Sequence, residues 1–373
     1  MNRTVSEHEG DLPQRPTRIA FVMEQHVGHR TYSDNLRGAL LTRSDVAATF
    51  VPVDYSSTGT WRERIPIPAF QVAMKGRTQV QRGLSGLDHE AALFNTQVPA
   101  VLGGRVATRR PYVLCTDVTP LQYDAMALGY SHRADRGGII TGFKHRRNQR
   151  VMQGASAHAP WSRWTAESLV SDYGVDPQVV EVIPPGVDLS RWEPGDRSTS
   201  GPMRLLFVGG EFRRKGGEVL LEAFATLPEG VAELAIVTRD PVPRQSGVTV
   251  YDHLLPNDDE LMALYRWSDV FVLPSIWETF GIAAVEAGAS GLAIVATAVG
   301  GLAELVVEGH TGLHVAAGSV DDLARQLRLL AAEPDLRARL GAAARARALI
   351  EFDASVNADR LIRLAIAGAQ ANP

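Results

Sequence analysis

RLLFVGGEFRRKGGEVLLEAFA, residues 204–225, is the stretch on which the reading of the fold turns. Residues 204–208 form an apolar run of strand length. Residues 209–217 carry four glycines around three consecutive cations, and 219–225 return to an apolar helical pattern. A strand feeding a helix through a glycine turn is the repeating step of an α/β protein. Downstream, strand-like runs recur at 234–237, 248–251, 270–273 and 293–296. Upstream they occur at 18–23, 48–53, 87–94, 113–116, 155–159 and 179–183, with helical patterns at 32–41 and 161–173. Residues 55–68 hold Trp61, Pro66 and Pro68 and read as irregular. Between the two series, Pro184, Pro185, Gly186, Pro194, Gly195, Gly201 and Pro202 make a linker composition. From 321 onward the chain is helical and rich in Ala and Arg, with Pro334 separating two helices. The pattern therefore predicts two α/β units with largely parallel sheets, facing each other across a cleft. Ligands of such sheets bind beyond the carboxyl ends of the strands.

The composition supports this reading and excludes others. The chain has 373 residues, 45% hydrophobic and 21% charged, which is enough for two ordinary domains and too apolar for a disordered tail. A net charge of −4 does not point to nucleic acid. Cys115, the sole cysteine, sits in an apolar run and reads as a buried thiol of a reducing compartment. Residues 1–16 are polar and read as a disordered leader without targeting character. No apolar stretch is long enough to span a membrane, so a cytoplasmic location is expected.

The turn after residue 208 is the first place to seek chemistry. Gly209, Gly210, Gly216 and Gly217 free backbone N–H groups at a helix start, and Arg213, Arg214 and Lys215 add charge. Lysine is rare here, since only Lys75, Lys144 and Lys215 occur among 38 Lys and Arg residues. The combination fits a phosphate or diphosphate ligand, while a solvated basic turn explains the same residues. It is neither a Walker loop nor GxGxxG. The second place is SDVFVLPSIWETFGIAAVEAG, residues 268–288. Here Glu278 sits at a helix entrance and Glu286 within the helix, about 12 Å apart at helical rise. That separation is too wide for a glycosidase pair but suits two ends of one extended ligand. The backbone N–H groups of Thr279, Phe280 and Gly281 lie between. Singly, each glutamate also reads as an ordinary helix acid.

Together, residues 162–192, 209–217, 268–288 and 300–313 (GGLAELVVEGHTGL) resemble the retaining family 4 glycosyltransferases, glycosyl transferases group 1. The resemblance implies the GT-B fold, two Rossmann-like domains: 17–193 on the acceptor side, 194–355 binding nucleotide sugar, and a C-terminal helix, 356–373, packing back on the first. It implies transfer of a hexose from a UDP- or GDP-sugar to a hydroxyl acceptor, with retention, front-face attack, no cofactor and no metal. The acceptor would be a glycan, a glycolipid or a small metabolite. Arg214 and Lys215 would neutralise the donor diphosphate, with Gly28 and Gly210 lining it. Glu286 would take the ribose hydroxyls and Glu278 the donor sugar. Relatives often carry a histidine near residue 116, where this chain has Thr116 and Asp117. Asp117 is the substitute candidate, with His29 and Thr31 beside the acceptor. Relatives often have Arg at position 210, and the Arg213–Arg214 pair is expected to compensate. The alternative is an inactive nucleotide-sugar sensor or scaffold of the same fold. Lys144, His145, Arg146, Arg147 and Arg150 read as a solvated helix face, the alternative being a site for a phospholipid or acidic acceptor, and His310 and His314 lack metal-ligand spacing. No partner nucleic acid and no stable membrane insertion are expected.

Overall fold

The computed structural model describes residues 15–41, 43–60, 68–127, 137–196 and 201–371. Most of the expected leader, and Trp61 and Pro66, lie outside them. In the first unit the elements are β1 (Thr17–Glu24), α1 (Val27–Leu40), β2 (Val46–Val53), α2 (Pro68–Leu84), β3 (Ala91–Phe94), α3 (Gln97–Gly103), β4 (Tyr112–Thr116), α4 (Pro120–Ala125), α5 (Ile139–Gln153), β5 (Ala157–Pro160) and α6 (Arg163–Ser171). The second unit runs β6 (Met203–Val208), α7 (Gly217–Ala225), β7 (Ala232–Val237), β8 (Val248–Tyr251), α8 (Asp259–Trp267), β9 (Val270–Leu273), α9 (Ile282–Ala289), β10 (Ala293–Thr297), β11 (Gly312–Val315), α10 (Val320–Ala332) and α11 (Pro334–Glu351). α12 (Ala354–Ala371) ends the described chain.

Two sheets result, ordered β2-β1-β3-β4-β5 and β11-β10-β9-β6-β7-β8, and every strand pair in them is parallel. Parallel strands are covered on both faces, so alternate residues enter opposite cores. β1 shows this directly. Ile19, Phe21 and Met23 pack with Leu36 and Leu361, whereas Ala20 and Val22 join Val51, Val80 and Leu84. α12 reaches back from the end of the chain onto the first sheet, against α1, β3, β4 and β5.

The chain passes between units twice, side by side. The Val187 N–H donates to the Phe352 carbonyl (2.9 Å), and the Ala354 N–H to the Val187 carbonyl (3.1 Å). Trp192, in the crossing, is buried edge-on against Tyr265. Arg345 donates to the carbonyls of Trp192 and Ala289 at 2.7 and 2.6 Å.

Three sequence expectations need correction. The strand expected at 179–183 starts in a 3-10 turn, Pro177–Val179, and then follows β5 through one bridge from His158 to Val180 and the N–H groups of Glu181 and Ile183, which donate to the His158 and Pro160 carbonyls; Pro184 and Pro185 have no N–H to carry it further. The expected helix at 32–41 begins earlier, at Val27. Of the irregular stretch expected at 55–68, residues 55–60 are irregular and only Pro68 departs, opening a helix of 17 residues, because a first-turn proline gives up only an N–H that the helix does not use.

Candidate donor and acceptor site

Both sheets present the carboxyl ends of their strands to the region between the units. After β6, the turn folds tightly: the Lys215 N–H donates to the Glu211 carbonyl and the Gly217 N–H to that of Phe212. Gly216 stands at φ +78, and a Cβ there would lie 2.0 Å from the Pro274 carbonyl oxygen. Only glycine allows this turn to press against the loop after β9. Arg214 completes the junction, donating to the Trp277 carbonyl at 2.6 Å and to Glu211 at 2.6 Å, while the Ile276 N–H returns to the Arg214 carbonyl.

The two inward cations converge on Glu278. Lys215 Nζ is 3.2 Å from Oε2, and Arg214 is 3.8 Å away. Glu278 is 5% exposed. Burial pushes its carboxyl up, but Lys215 and Arg214 outweigh burial and hold it below the usual carboxylate range. Oε2 makes no hydrogen bond beyond these charge contacts. Arg213 does not take part; it is exposed and pairs with Glu218. Of the Arg213–Arg214 pair expected to compensate for Gly210, only Arg214 faces Glu278, and the space beside Gly210 is open.

Glu278 lies in the loop ahead of the helix rather than at its entrance, because Gly281, at φ +96, precedes the first residue of α9. The Thr279 N–H is partly committed, at 3.3 Å from the Glu278 carboxylate. Phe280 is buried with its ring edge-on to Trp161 of the first unit, 5.8 Å between centroids. Glu286 is also buried, not solvated. The Tyr265 hydroxyl donates to it at 2.8 Å. Burial raises its carboxyl to about 7, against opposing pulls from Tyr265 and Lys215.

Across from this loop, β4 delivers Asp117, which is buried and raised above its ordinary range by burial, with His29 opposing. His29 Nε2, on the first turn of α1, is 3.6 Å from its carboxylate, and the His29 ring rests on Trp161. Thr279 of the second unit also opposes the rise at Asp117. Gly28 stands on the same first turn, with open space where a Cβ would be, and Thr31 is buried further along α1. Glu24 belongs to the same cluster and was not singled out from sequence. It takes hydrogen bonds from Tyr55 (2.7 Å) and Thr96 (2.6 Å) at the end of β1. An acid closing the apolar run of residues 19–23 was the available signal. Cys115 is buried, its thiol pushed up to about 12 by burial.

Comparison with known proteins identifies the architecture. Residues 247–347 match the family described as glycosyl transferases group 1. A D-inositol 3-phosphate glycosyltransferase of Streptomyces bingchenggensis is 35% identical over 208 residues, 48% of this chain and 46% of the relative. The chain thus spans about half the length of the curated relatives it matches. Sucrose-phosphate synthase from Thermosynechococcus elongatus superposes with a TM-score of 0.77 at 18% identity, covering 95% of this chain and all of that one. An Anabaena protein crystallised with UDP-glucose gives 0.66 at 16%, over 94% and 99%. The fold of the chain is GT-B. Among the described residues, no helix is long and apolar enough to cross a membrane.

Proposed function

We propose that this protein transfers a hexose, with retention, from a nucleoside-diphosphate sugar to a hydroxyl acceptor. One observation carries the reading: Lys215 and Arg214 converge on buried Glu278 at the carboxyl edge of one sheet, opposite Asp117 and His29 at the edge of the other. The two cations hold Glu278. An arriving diphosphate offers them stronger partners and releases the Glu278 carboxylate towards sugar hydroxyls. When the anomeric C–O bond breaks, the diphosphate leaves with the bonding pair, and Lys215 and Arg214 neutralise it. The acceptor hydroxyl bonds to the same face of the anomeric carbon, and its proton passes to the departing phosphate oxygen. Glu286 sits one buried layer behind, suited to ribose hydroxyls.

Glycosyltransferase relatives and a UDP-glucose complex of the same fold support a nucleotide-sugar donor, UDP-glucose being the first to try. The test is a thermal-shift panel of UDP, GDP and ADP with their sugars, followed by donor hydrolysis in excess EDTA. Stabilisation by one diphosphate, with sugar release that survives EDTA, is expected. At a hundredfold excess over Kd, binding adds about 2.7 kcal/mol. Binding without sugar release to water or to any alcohol offered would favour the sensor reading. A flat panel would remove the donor assignment.

A further inference from the structure

One contact between the two units is made by a carboxylate that the donor reading leaves unused. After β10, the 3-10 turn Gly300–Glu304 lies directly over the Glu278 loop. The Gly301 N–H donates to the Thr279 carbonyl at 3.0 Å. Gly300 stands at φ +51, and a Cβ there would fall 2.1 Å from the Glu278 carbonyl oxygen. The end of this turn crosses to the other unit. Glu304 Oε2 accepts the backbone N–H of Arg163 (2.9 Å), and Oε1 accepts that of Trp164 (2.7 Å). Those are the first two N–H groups of α6, which have no partner inside the helix. The third, on Thr165, is taken by its own N-cap, Ser162. Glu304 therefore caps a helix of the opposite unit, 140 residues away in sequence.

That helix start is wired to the acceptor side. Thr165 donates through its hydroxyl to the Asp117 carbonyl at 2.7 Å. Gln122 of α4 donates to the Trp164 carbonyl at 2.8 Å. A short covalent and hydrogen-bonded path thus runs from Glu278, through Thr279 and Gly301, to Glu304, α6 and Asp117. We infer that Glu304 is the positioning residue that latches the two units closed and fixes Glu278 in register with Asp117. This rests on the donor reading for its catalytic meaning, but not for its geometry.

The test uses two labels, at Ser85→Cys and Thr249→Cys, both exposed and one on each unit. Buried Cys115 stays unlabelled. Interdomain distances are then measured in the wild type, Glu304→Ala, Glu304→Gln and Arg163→Pro. The last variant deletes one donor from the other side, at a first helical position where proline is accepted. Broader and longer distances are expected in Glu304→Ala, with intermediate ones in Glu304→Gln and Arg163→Pro. In UDP-glucose hydrolysis, kcat should fall tenfold or more in Glu304→Ala, while UDP affinity and KM stay within twofold. A general loss of folding would move affinity as well. Unchanged distances overturn the latch, and changed distances with unchanged kcat overturn its positioning role. A wild type blind to every nucleotide overturns the donor reading instead, and the distances still decide the latch.

Discussion

At the scale of single residues, the site is a set of charges held in unfavourable places, and this can be tested without any substrate. Glu286 titrates near 7 in the folded protein against an ordinary 4.5. Below about pH 4.5 it is neutral in both folded and unfolded chains, and the stability of its neutral form is fully present. As pH rises through 7 the buried carboxyl must ionise, and that contribution is lost. Glu286→Gln keeps the shape and stays neutral. It should match the wild type at pH 5 and exceed it by about 2 kcal/mol at pH 8 in urea unfolding. An equal difference at both pH values would show that Glu286 is already ionised at pH 5. Glu278 behaves oppositely, because Lys215 and Arg214 favour its charged form. Lys215→Met leaves a buried carboxylate whose nearest cation, Arg214, stands 3.8 Å away, and should cost about 3 kcal/mol. Adding Glu278→Gln should restore most of it. If the two losses simply add, the pair does not share charge in the folded state.

At the scale of elements, legibility followed how local each cause was. The cap of α6 by Ser162 is written within four residues and was readable. So was the glycine turn after β6, because strand, glycines and helix are contiguous. The convergence of Lys215 on Glu278 spans 63 positions, and only the resemblance to a family of known layout joined the two beforehand. The cluster of His29, Asp117 and Glu24 was half legible: Glu24 ends β1, His29 follows it and Asp117 follows β4, but nothing in the sequence says that these two strands end close together, with only β3 between them. Glu304 was illegible as a cap because the helix it serves belongs to the other unit. The turn itself makes a sharp prediction. Gly216→Ala forces a Cβ to 2.0 Å from the Pro274 oxygen at positive φ. It should lower stability by about 2 kcal/mol or more. Gly210→Ala meets nothing within 4 Å and should cost under about 0.5 kcal/mol. Similar unfolding midpoints for the two variants would mean that the turn is not pressed against the β9 loop.

At the scale of the molecule, the first unit is not a continuous piece of chain. Its sheet is covered on one face by α1 and by α12, which arrives only after the whole second unit has been traversed. Leu361, Ile362 and Ala365 of α12 are at most 2% exposed. Burying two such leucine-sized side chains contributes about 1.5–3 kcal/mol each, a large share of the stability of an ordinary domain. The second unit has no such debt, since α7 to α11 cover its sheet from within its own sequence. A chain ended after Asp353 should therefore lose its first unit and keep its second. Hydrogen exchange would show this as rapid labelling of β1, β3 and β4 beside continued protection of β6, β9 and β10. Because the parallel crossings meet at Val187 and Phe352–Ala354, the same cut also frees the linker from one of its two tethers. Nucleotide binding by the second unit should survive it, while any transfer that needs Asp117 and His29 should not. Uniform protection in the shortened chain would show that α12 is dispensable and that the first sheet closes its own core; uniform labelling would show that the two units fold only as one.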